Sequence, residues 1–389
     1  MSLLAETLSG VNGEIIRWAR EFYNMSPGDA AQAIGVNVIR YLNWENGTEY
    51  PTYAKLKKIS DVFRKPSAVF FFPELPDIPP IKGDLRTLTD TVIDGLSKNV
   101  MIQLEKAKAY QLNLMELYGT SNCIFANRNA IPSDTKQLCD YLRSIMGFPI
   151  AAQKGRKNYK VVFEIYREKL YELGIYVFKD SFKDDNVSGL CINDNYFPVI
   201  LINNSMSFAR QIFTLFHEFY HLVSNTSGAE IVRDDYYIYL DRSQFAAEKK
   251  CDTFANEFLV PTDDFKIELS KKIIDEDRIS ELAVLYSVSK EAIMYKLWKM
   301  QIISSDDYEA LKETFYGDAL RNLKKRKGEK SSGGNYYFTK LSYLGSTYTG
   351  DVFKQLYSGK IDSFRASEML NSKVDHLPQL ETAFFRGTK

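Results

Sequence analysis

Two histidines that flank a glutamate are the residues of this sequence whose types and spacing most directly suggest chemistry. His217 and His221 are two of only three histidines in the chain, and Glu218 follows the first in the stretch FTLFHEFYHL. On a helix, residues four apart share one face, with Cβ atoms about 5–6 Å apart. Both imidazoles can therefore bind one zinc ion, while Glu218 reaches a water molecule there as a general base. The spacing predicts a catalytic metal site.

The same stretch is also compatible with an ordinary core helix that happens to carry two histidines. Its apolar residues are Phe213, Leu215, Phe216, Phe219 and Leu222. The two interpretations do not exclude each other, because a helix that bears zinc ligands normally packs in a core. An accidental pattern of this kind is expected in roughly two of a thousand chains of this composition, which favours the metal site.

A catalytic zinc ion needs a third protein ligand and an open position for water. The glycine and histidine that extend this motif in metzincin peptidases are absent, since Ser224 and Ser227 stand at their positions. His376, the remaining histidine, lies near the C-terminus and is predicted to be an ordinary loop residue. The third ligand is therefore expected to be a carboxylate downstream of His221.

Glu248 is the carboxylate best placed for this role. Four other acids lie in a loop-like segment and are expected to face solvent: Glu230, Asp234, Asp235 and Asp241. Glu248 lies in FAAEKKCDTFANEFLVP, which is predicted to form a helix ended by Pro261. Asp252 follows one turn later and could accept a hydrogen bond from the N–H of a zinc-bound histidine. The order HExxH followed by ExxxD is the gluzincin arrangement in outline.

The elements that would position these residues form an α+β pattern. Two helices are predicted in 134–175, followed by the β-rich stretches IYVFKD, VSGLCIN and FPVILIN. The last two flank the turn-forming residues 193–196 and predict a hairpin. Helices around Ser287 follow.

The N-terminal region predicts a cluster of short helices. Ser26 is a candidate N-cap with Pro27 at the first helical position, and Gly35 ends that helix. A second short helix follows at once and stops at Gly47. Two short helices joined at a glycine are typical of a helix-turn-helix unit.

This unit resembles the Cro/phage-repressor (XRE) type of DNA-binding domain. The matching residues are Ala30, Ile34, Gly35, Val36, Ile39, Trp44, Glu45, Asn46, Gly47 and Pro51. The resemblance implies that a helix at about 37–44 enters the major groove of double-stranded DNA. The side chains then expected to face DNA are Asn37, Val38, Arg40, Tyr41 and Asn43.

The charge of this region leaves a second interpretation open. Residues 1–76 contain eight basic and eight acidic side chains, whereas a duplex binder gains much of its affinity by neutralising phosphates. A neutral helix-turn-helix could instead bind another protein, such as a sibling repressor.

From about residue 160 to 300 the chain resembles the ImmA/IrrE metallopeptidases. The resemblance lies in ELGIYVF, VSGLCI, PVILIN, ARQIFTLFHEFYHL and EKKCDTFANEFLVP. It implies zinc bound by His217, His221 and Glu248, with Glu218 as base, in a zincin-like domain. The sequence departs from the family at Cys251 for alanine, Asp252 for asparagine and Asn256 for alanine. Cys251 is interpreted as a small buried side chain, with oxidant sensing as the alternative.

The predicted organisation is an α+β, multidomain chain. The expected parts are a helix-turn-helix domain (1–76), a proline-rich linker and long helix (77–127), a zincin-like, gluzincin-type peptidase domain with a small sheet (128–262), a helical extension (263–319), a basic linker (320–335) and a small helical C-terminal unit (336–389). No signal peptide or membrane span is expected, and four scattered cysteines fit reduced thiols of a cytoplasmic protein. A homodimer is a further expectation.

Together the two resemblances imply a regulator of mobile-element or stress-response type, bacterial or phage, that cleaves a partner repressor or antitoxin-like protein. The alternative is a DNA-binding regulator whose metal site is sensory or structural. An extended substrate is expected to add to strand 187–192 or 198–203. Candidates for stabilising the oxyanion are Tyr220, Arg210 and the tyrosines at 236, 237 and 239.

Overall fold

The computed structural model describes residues 6–76, 95–121, 123–225, 228–231, 242–310 and 335–387. The chain forms two compact units, Met1–Glu105 and Lys106–Lys389. The division falls inside one long helix, Lys98–Tyr118. Each unit is considered by itself below.

The described residues before the long helix form four short helices. They are α1 (Gly13–Phe22), α2 (Pro27–Ile34), α3 (Val38–Glu45) and α4 (Tyr53–Phe63), followed by a 3-10 turn at Ser67–Phe71. Ser26 and Asp29 form a capping box at the start of α2, and Gly35 ends it with a left-handed φ of 73°. Lys55 on α4 donates to the Gly35 carbonyl at 2.8 Å. The turn between α2 and α3 is therefore held by both local caps and a tertiary contact.

Helices α1 and α3 pack very closely. A Cβ atom at Gly13 would lie 2.4 Å from the Trp44 carbonyl oxygen, so only glycine permits this approach. Arg20 on α1 donates to Glu45 on α3 at 2.7 Å, and both side chains are buried. Arg20 and Glu45 are thus part of the structural core of this unit.

The second unit begins with helices that precede a small sheet. They are α5 (Lys98–Tyr118, shared with the first unit), α6 (Thr135–Met146), α7 (Ile150–Lys154) and α8 (Tyr159–Glu172), with a 3-10 segment at Ile124–Ala130. The strands are β1 (Tyr176–Asp180), β2 (Val187–Ile192), β3 (Val199–Asn203) and β4 (Gly228–Ile231). The sheet order is β1-β3-β2-β4, with β1 parallel to β3 and the other pairs antiparallel.

The hairpin predicted from the sequence is present between β2 and β3. Asp194 closes its turn by accepting hydrogen bonds from the backbone N–H groups of Tyr196 and Phe197, at 2.7 and 2.8 Å. The expectation that strand 187–192 or 198–203 offers a free edge is wrong, because both strands are paired on both sides. The edge strands of the described sheet are β1 and β4.

Long helices cover the sheet and complete the core. They are α9 (Phe208–Val223), α10 (Arg242–Leu259), α11 (Thr262–Leu269), α12 (Glu276–Tyr286) and α13 (Lys290–Lys299). Phe216 of α9 stacks on Phe258 of α10 with ring centroids 4.1 Å apart. Leu282 and Leu297, within the predicted 263–319 extension, lie in the same buried cluster as Phe216. That extension therefore packs into the core that carries α9 and α10.

Four C-terminal helices complete the described chain. They are α14 (Tyr336–Leu344), α15 (Ser346–Tyr357), α16 (Ser363–Met369) and α17 (Leu377–Gly387). The buried Arg167 of α8 donates to the carbonyls of Ser342 and Tyr343 in the last turn of α14, at 2.9 and 2.6 Å. It also donates to the Val177 carbonyl of β1 at 2.8 Å. Arg167 thus joins the C-terminal helices to the covered edge of the sheet.

The predicted fold class, α+β with a helix-turn-helix region, a small sheet and a helical C-terminal region, is confirmed. Most of the predicted linkers, at 77–94 and 320–334, lie outside the described residues, and the finer domain boundaries stay predictions. Among the helices that the structure describes, none has the length and apolarity needed to cross a membrane.

Candidate metal centre and candidate nucleic-acid interface

Helix α9 is held firmly against the sheet at the level of the histidines. Ser207 caps its N-terminus by accepting a hydrogen bond from Arg210 N–H. A Cβ atom at Gly189 of β2 would lie 2.5 Å from Cγ2 of Thr214, so glycine is required for this approach. At the other end, Arg128 donates to the Leu222 carbonyl at 2.8 Å and to Asn193 in the hairpin turn at 3.1 Å. Neither Gly189 nor Arg128 belongs to a sequence pattern that marks it as part of the site.

The predicted zinc ligands come together between α9 and α10. Nε2 of His217 lies 3.3 Å from Nε2 of His221. One carboxylate oxygen of Glu248 lies 3.1 Å from Nε2 of His217, and the other lies 3.5 Å from Nε2 of His221. All three side chains are buried. Glu248, on a separate helix, therefore faces the same point as the two histidines.

The distances between these atoms fit a tetrahedral metal ion. Nitrogen and oxygen ligands about 2.0–2.1 Å from zinc lie about 3.3–3.4 Å from one another in a tetrahedron. The two imidazole nitrogens lie 3.3 Å apart, close to that value. Each of them lies 3.1 or 3.5 Å from a different oxygen of the Glu248 carboxylate, so that carboxylate is in reach of the same ion. Two imidazoles and a carboxylate are donors that zinc accepts. His217, His221 and Glu248 would therefore hold the ion.

The electrostatics of the cluster also favour a cation. Burial alone would raise the pKa of Glu248, but hydrogen bonds from His217 and His221 hold it well below its usual range. Burial would lower the pKa of His221, yet the neighbouring Cys251 and Glu248 raise it to about 10. The buried acidic groups thus stabilise positive charge at the imidazoles, which a metal ion would supply in place of a proton.

Asp252 lies behind the first histidine, as the sequence spacing predicts. Its Oδ1 is 3.0 Å from Nδ1 of His217, on the side of the ring away from Glu248. In the tautomer with the proton on Nδ1, His217 donates to Asp252 and turns the lone pair of Nε2 toward the metal position. Glu218, between the two histidines in sequence, is fully buried.

The structure adds Cys251 to this cluster. Its Sγ lies 3.5 Å from Nε2 of His221. Donor atoms of His217, His221 and Cys251 all lie within 4.8 Å of one another, and all three residues are buried. The sequence signal was available, because Cys251 follows Glu248 by three residues and so shares its helical face.

The other candidates from the sequence lie outside the described side chains or make contacts elsewhere in the fold. The rival acids Glu230, Asp234, Asp235 and Asp241 fall where the structure describes no side chains, as do the tyrosines at 236, 237 and 239. His376 contacts the rings of Tyr336 and Tyr337 among the C-terminal helices. Tyr220 packs its ring on Phe254 of α10, with centroids 5.1 Å apart.

In the first unit, the exposed face of α3 carries both polar and apolar side chains. Asn37, Val38 and Arg40 are exposed, Asn43 is partly buried, and Asn37 also caps the helix through Ile39 N–H. The structure adds Ile39 and Leu42 to this face, 66% and 37% exposed. The Arg40 guanidinium lies 3.7 Å from Glu49, to which Asn43 also donates at 3.0 Å.

Tyr41 does not belong to this face. It is fully buried and packs edge-on against Trp44, with ring centroids 6.3 Å apart. The prediction that Tyr41 contacts DNA is therefore wrong. Tyr41 and Trp44 are three residues apart, so they lie on the same side of α3, and this side packs against the core.

Two segments of the chain match known families. Residues 171–297 match the peptidase M78 family, described as an IrrE N-terminal-like domain, and residues 16–70 match a helix-turn-helix family. No curated protein matches the chain. The fold and these matches support a metallopeptidase-like DNA-binding regulator. Specifically, the chain carries an ImmA/IrrE-type peptidase domain together with an XRE-type helix-turn-helix, as the sequence resemblance predicts.

Proposed function

We propose that this protein is a zinc-dependent endopeptidase that controls transcription by cutting a partner repressor or antitoxin-like protein. The observation that carries the proposal is the convergence of His217, His221 and Glu248 at donor distances that suit zinc. Glu218 follows His217 directly in the sequence and is buried. This cluster lies within the region that matches the peptidase family, and the same chain has a helix-turn-helix.

The roles of the residues follow from their positions. Zinc bound here would polarise the scissile carbonyl and increase the acidity of a nearby water molecule. Glu218 takes a proton from that water and then donates it to the leaving amine. Asp252 fixes the ring of His217, and the packing of Phe216 on Phe258 holds α9 and α10 at the required separation.

The substrate segment is proposed to bind along the sheet in an extended form. Among the described strands, β1 has Arg167 and the C-terminal helices at its edge, whereas β4 pairs only with β2. An extended peptide can add to such an edge through backbone hydrogen bonds. We therefore propose that the substrate binds beside β4. The sequence alone favours β2 or β3, but both of these strands are paired on both sides.

The proposal is tested with small repressors encoded next to the gene. Each is incubated with the zinc-loaded full-length protein, with Glu218→Gln, or with Glu172→Gln, an exposed glutamate of α8 used as a matched control. Wild type and the control should cleave one repressor at a single region. Glu218→Gln should keep bound zinc but lose at least about a hundredfold in rate. Equal cleavage by wild type and Glu218→Gln would reject the mechanism.

A second candidate function is favoured by Cys251. A zinc ion with four protein ligands has no position for water and is usually structural. If Cys251 stays bound permanently, the chain is a helix-turn-helix regulator whose metal site senses metal or stabilises the fold. That candidate predicts sequence-specific DNA binding with a steep salt dependence and no zinc-dependent cleavage of any neighbouring repressor.

A further inference from the structure

Cys251 occupies the position of an additional metal donor. It lies on α10 with Glu248, and its Sγ lies 3.5 Å from Nε2 of His221, the nitrogen that also lies 3.5 Å from Glu248. The residue is buried, so its thiol is directed into the protein interior.

The separation between Sγ of Cys251 and Nε2 of His221 suits two donors of one metal ion. A sulfur about 2.3 Å and a nitrogen about 2.0–2.1 Å from one tetrahedral zinc ion lie about 3.5–3.6 Å apart. Sγ of Cys251 lies 3.5 Å from Nε2 of His221. Donor atoms of His217, His221 and Cys251 also lie within 4.8 Å of one another, so the sulfur is within reach of an ion held by the two imidazoles.

We propose that the Cys251 thiolate is a ligand of the metal ion and competes with water for its fourth position. When His217, His221, Glu248 and Cys251 are all bound, protein donors fill the four coordination positions of the ion. Water enters only when the sulfur leaves. This second part rests on the proposed peptidase function, whereas ligation by sulfur does not.

As a consequence, the peptidase is inactive while Cys251 of α10 occupies the fourth position of the metal ion. Because Glu248 and Cys251 lie one turn apart, a small rotation of α10 about its axis can withdraw one donor while it keeps the other. Substrate or partner binding near α10 would then open the site.

The first test uses the unmodified full-length protein loaded with zinc. X-ray absorption measures the neighbours of the ion directly: a sulfur at about 2.3 Å is resolved from nitrogen and oxygen at about 2.0–2.1 Å. One sulfur per zinc is expected. A shell of nitrogen and oxygen alone would overturn the proposal, and this result does not depend on whether any variant folds.

The second test compares Cys251→Ala with Cys139→Ala, a matched change of another buried cysteine on α6. With Co²⁺ in place of zinc, wild type and Cys139→Ala should show a thiolate-to-cobalt charge-transfer band, which Cys251→Ala lacks. Zinc affinity, measured by chelator competition, should fall at least about tenfold in Cys251→Ala alone. An unchanged spectrum and affinity in Cys251→Ala would contradict ligation.

Cleavage of the repressor identified above separates this inference from the proposed function. Cys251→Ala with zinc should cleave faster than wild type at saturating metal. A sulfur ligand combined with cleavage no faster in Cys251→Ala would overturn the competition with water. A sulfur ligand with no cleavage by either protein would instead reject the peptidase function and leave the ligation standing.

Discussion

Nδ1 of His217 lies 3.0 Å from Oδ1 of Asp252, while Nε2 of the same ring lies 3.1 Å from Glu248. The two carboxylates are one helical turn apart on α10, so a single helix both supplies a metal donor and orients the ring of another. This relationship makes the candidate centre a product of two packed helices rather than of the HExxH stretch alone.

Asp252→Ala is expected to weaken zinc binding by about 10- to 100-fold without abolishing it, because His217 loses the partner that fixes its ring. Competition with a chelator measures the affinity. Asp263→Ala, which removes an exposed aspartate of α11, is the control and should bind zinc like wild type. Equal affinities for Asp252→Ala and the control would remove Asp252 from the site.

Gly189→Ala is expected to lower the free energy of unfolding by about 1–3 kcal/mol, because the added methyl group would overlap Thr214 of α9, the helix that carries His217 and His221. It should also weaken zinc binding, since α9 must move away from β2. Urea denaturation and chelator competition measure the two effects. Gly95→Ala, where a Cβ meets nothing within 4 Å, provides the control. A Gly189→Ala protein as stable as wild type would show that the helix does not need this close approach.

The helix-turn-helix prediction concerns Glu49, whose carboxylate lies beside Arg40 and Asn43. Removing this negative charge should leave both side chains available to DNA, so Glu49→Gln should bind DNA more tightly than wild type. Arg40→Ala should bind DNA more weakly. The slope of the logarithm of its binding constant against the logarithm of salt concentration should be smaller in magnitude by about one. Gel shifts with the DNA that flanks the gene, over a range of salt concentrations, measure both effects.

The control for this experiment is Glu14→Gln, which removes an exposed acid from α1. If the wild type binds DNA in the gel shift and Arg40→Ala binds it equally well, α3 is not the helix that contacts DNA. The exposed Val38, Ile39 and Leu42 would then favour a protein partner, the alternative that the neutral charge of residues 1–76 leaves open.

Acid stability should depend on Glu268 of α11. Burial would raise its pKa, but hydrogen bonds from Lys154 and Lys271, at 2.6 and 2.9 Å, lower the pKa to about 2 from its ordinary 4.5. Because the folded-state pKa is depressed, the contribution is fully present above about pH 4.5 and is lost as the pH falls toward 2.

Glu268→Gln should therefore lower the free energy of unfolding by roughly 1–3 kcal/mol at neutral pH and by much less near pH 2. Urea denaturation at several pH values measures the difference. Glu276→Gln, an exposed glutamate of α12, should show no such dependence. A difference between wild type and Glu268→Gln that does not change with pH would assign the effect to packing instead of charge.

The sequence by itself determined what depends on neighbours along the chain. The spacing of His217 and His221, the caps around Ser26 and Gly35, and the turn at Asp194 are local, because helical periodicity and turn chemistry act over a few residues. The α+β class and both family resemblances followed from such local patterns. Glu248 was favoured for a similar reason, through its predicted helix.

Only the tertiary structure decided how separate segments meet. It buried Tyr41, enclosed β2 and β3 within the sheet, and brought Cys251 to within 3.5 Å of His221. The rotation of each helix about its axis, and the order of strands in the sheet, are set by how side chains pack across the core. Local sequence patterns do not specify this packing. The position of Cys251 at the candidate metal centre is therefore a property of the fold, although the residue itself is visible in the sequence.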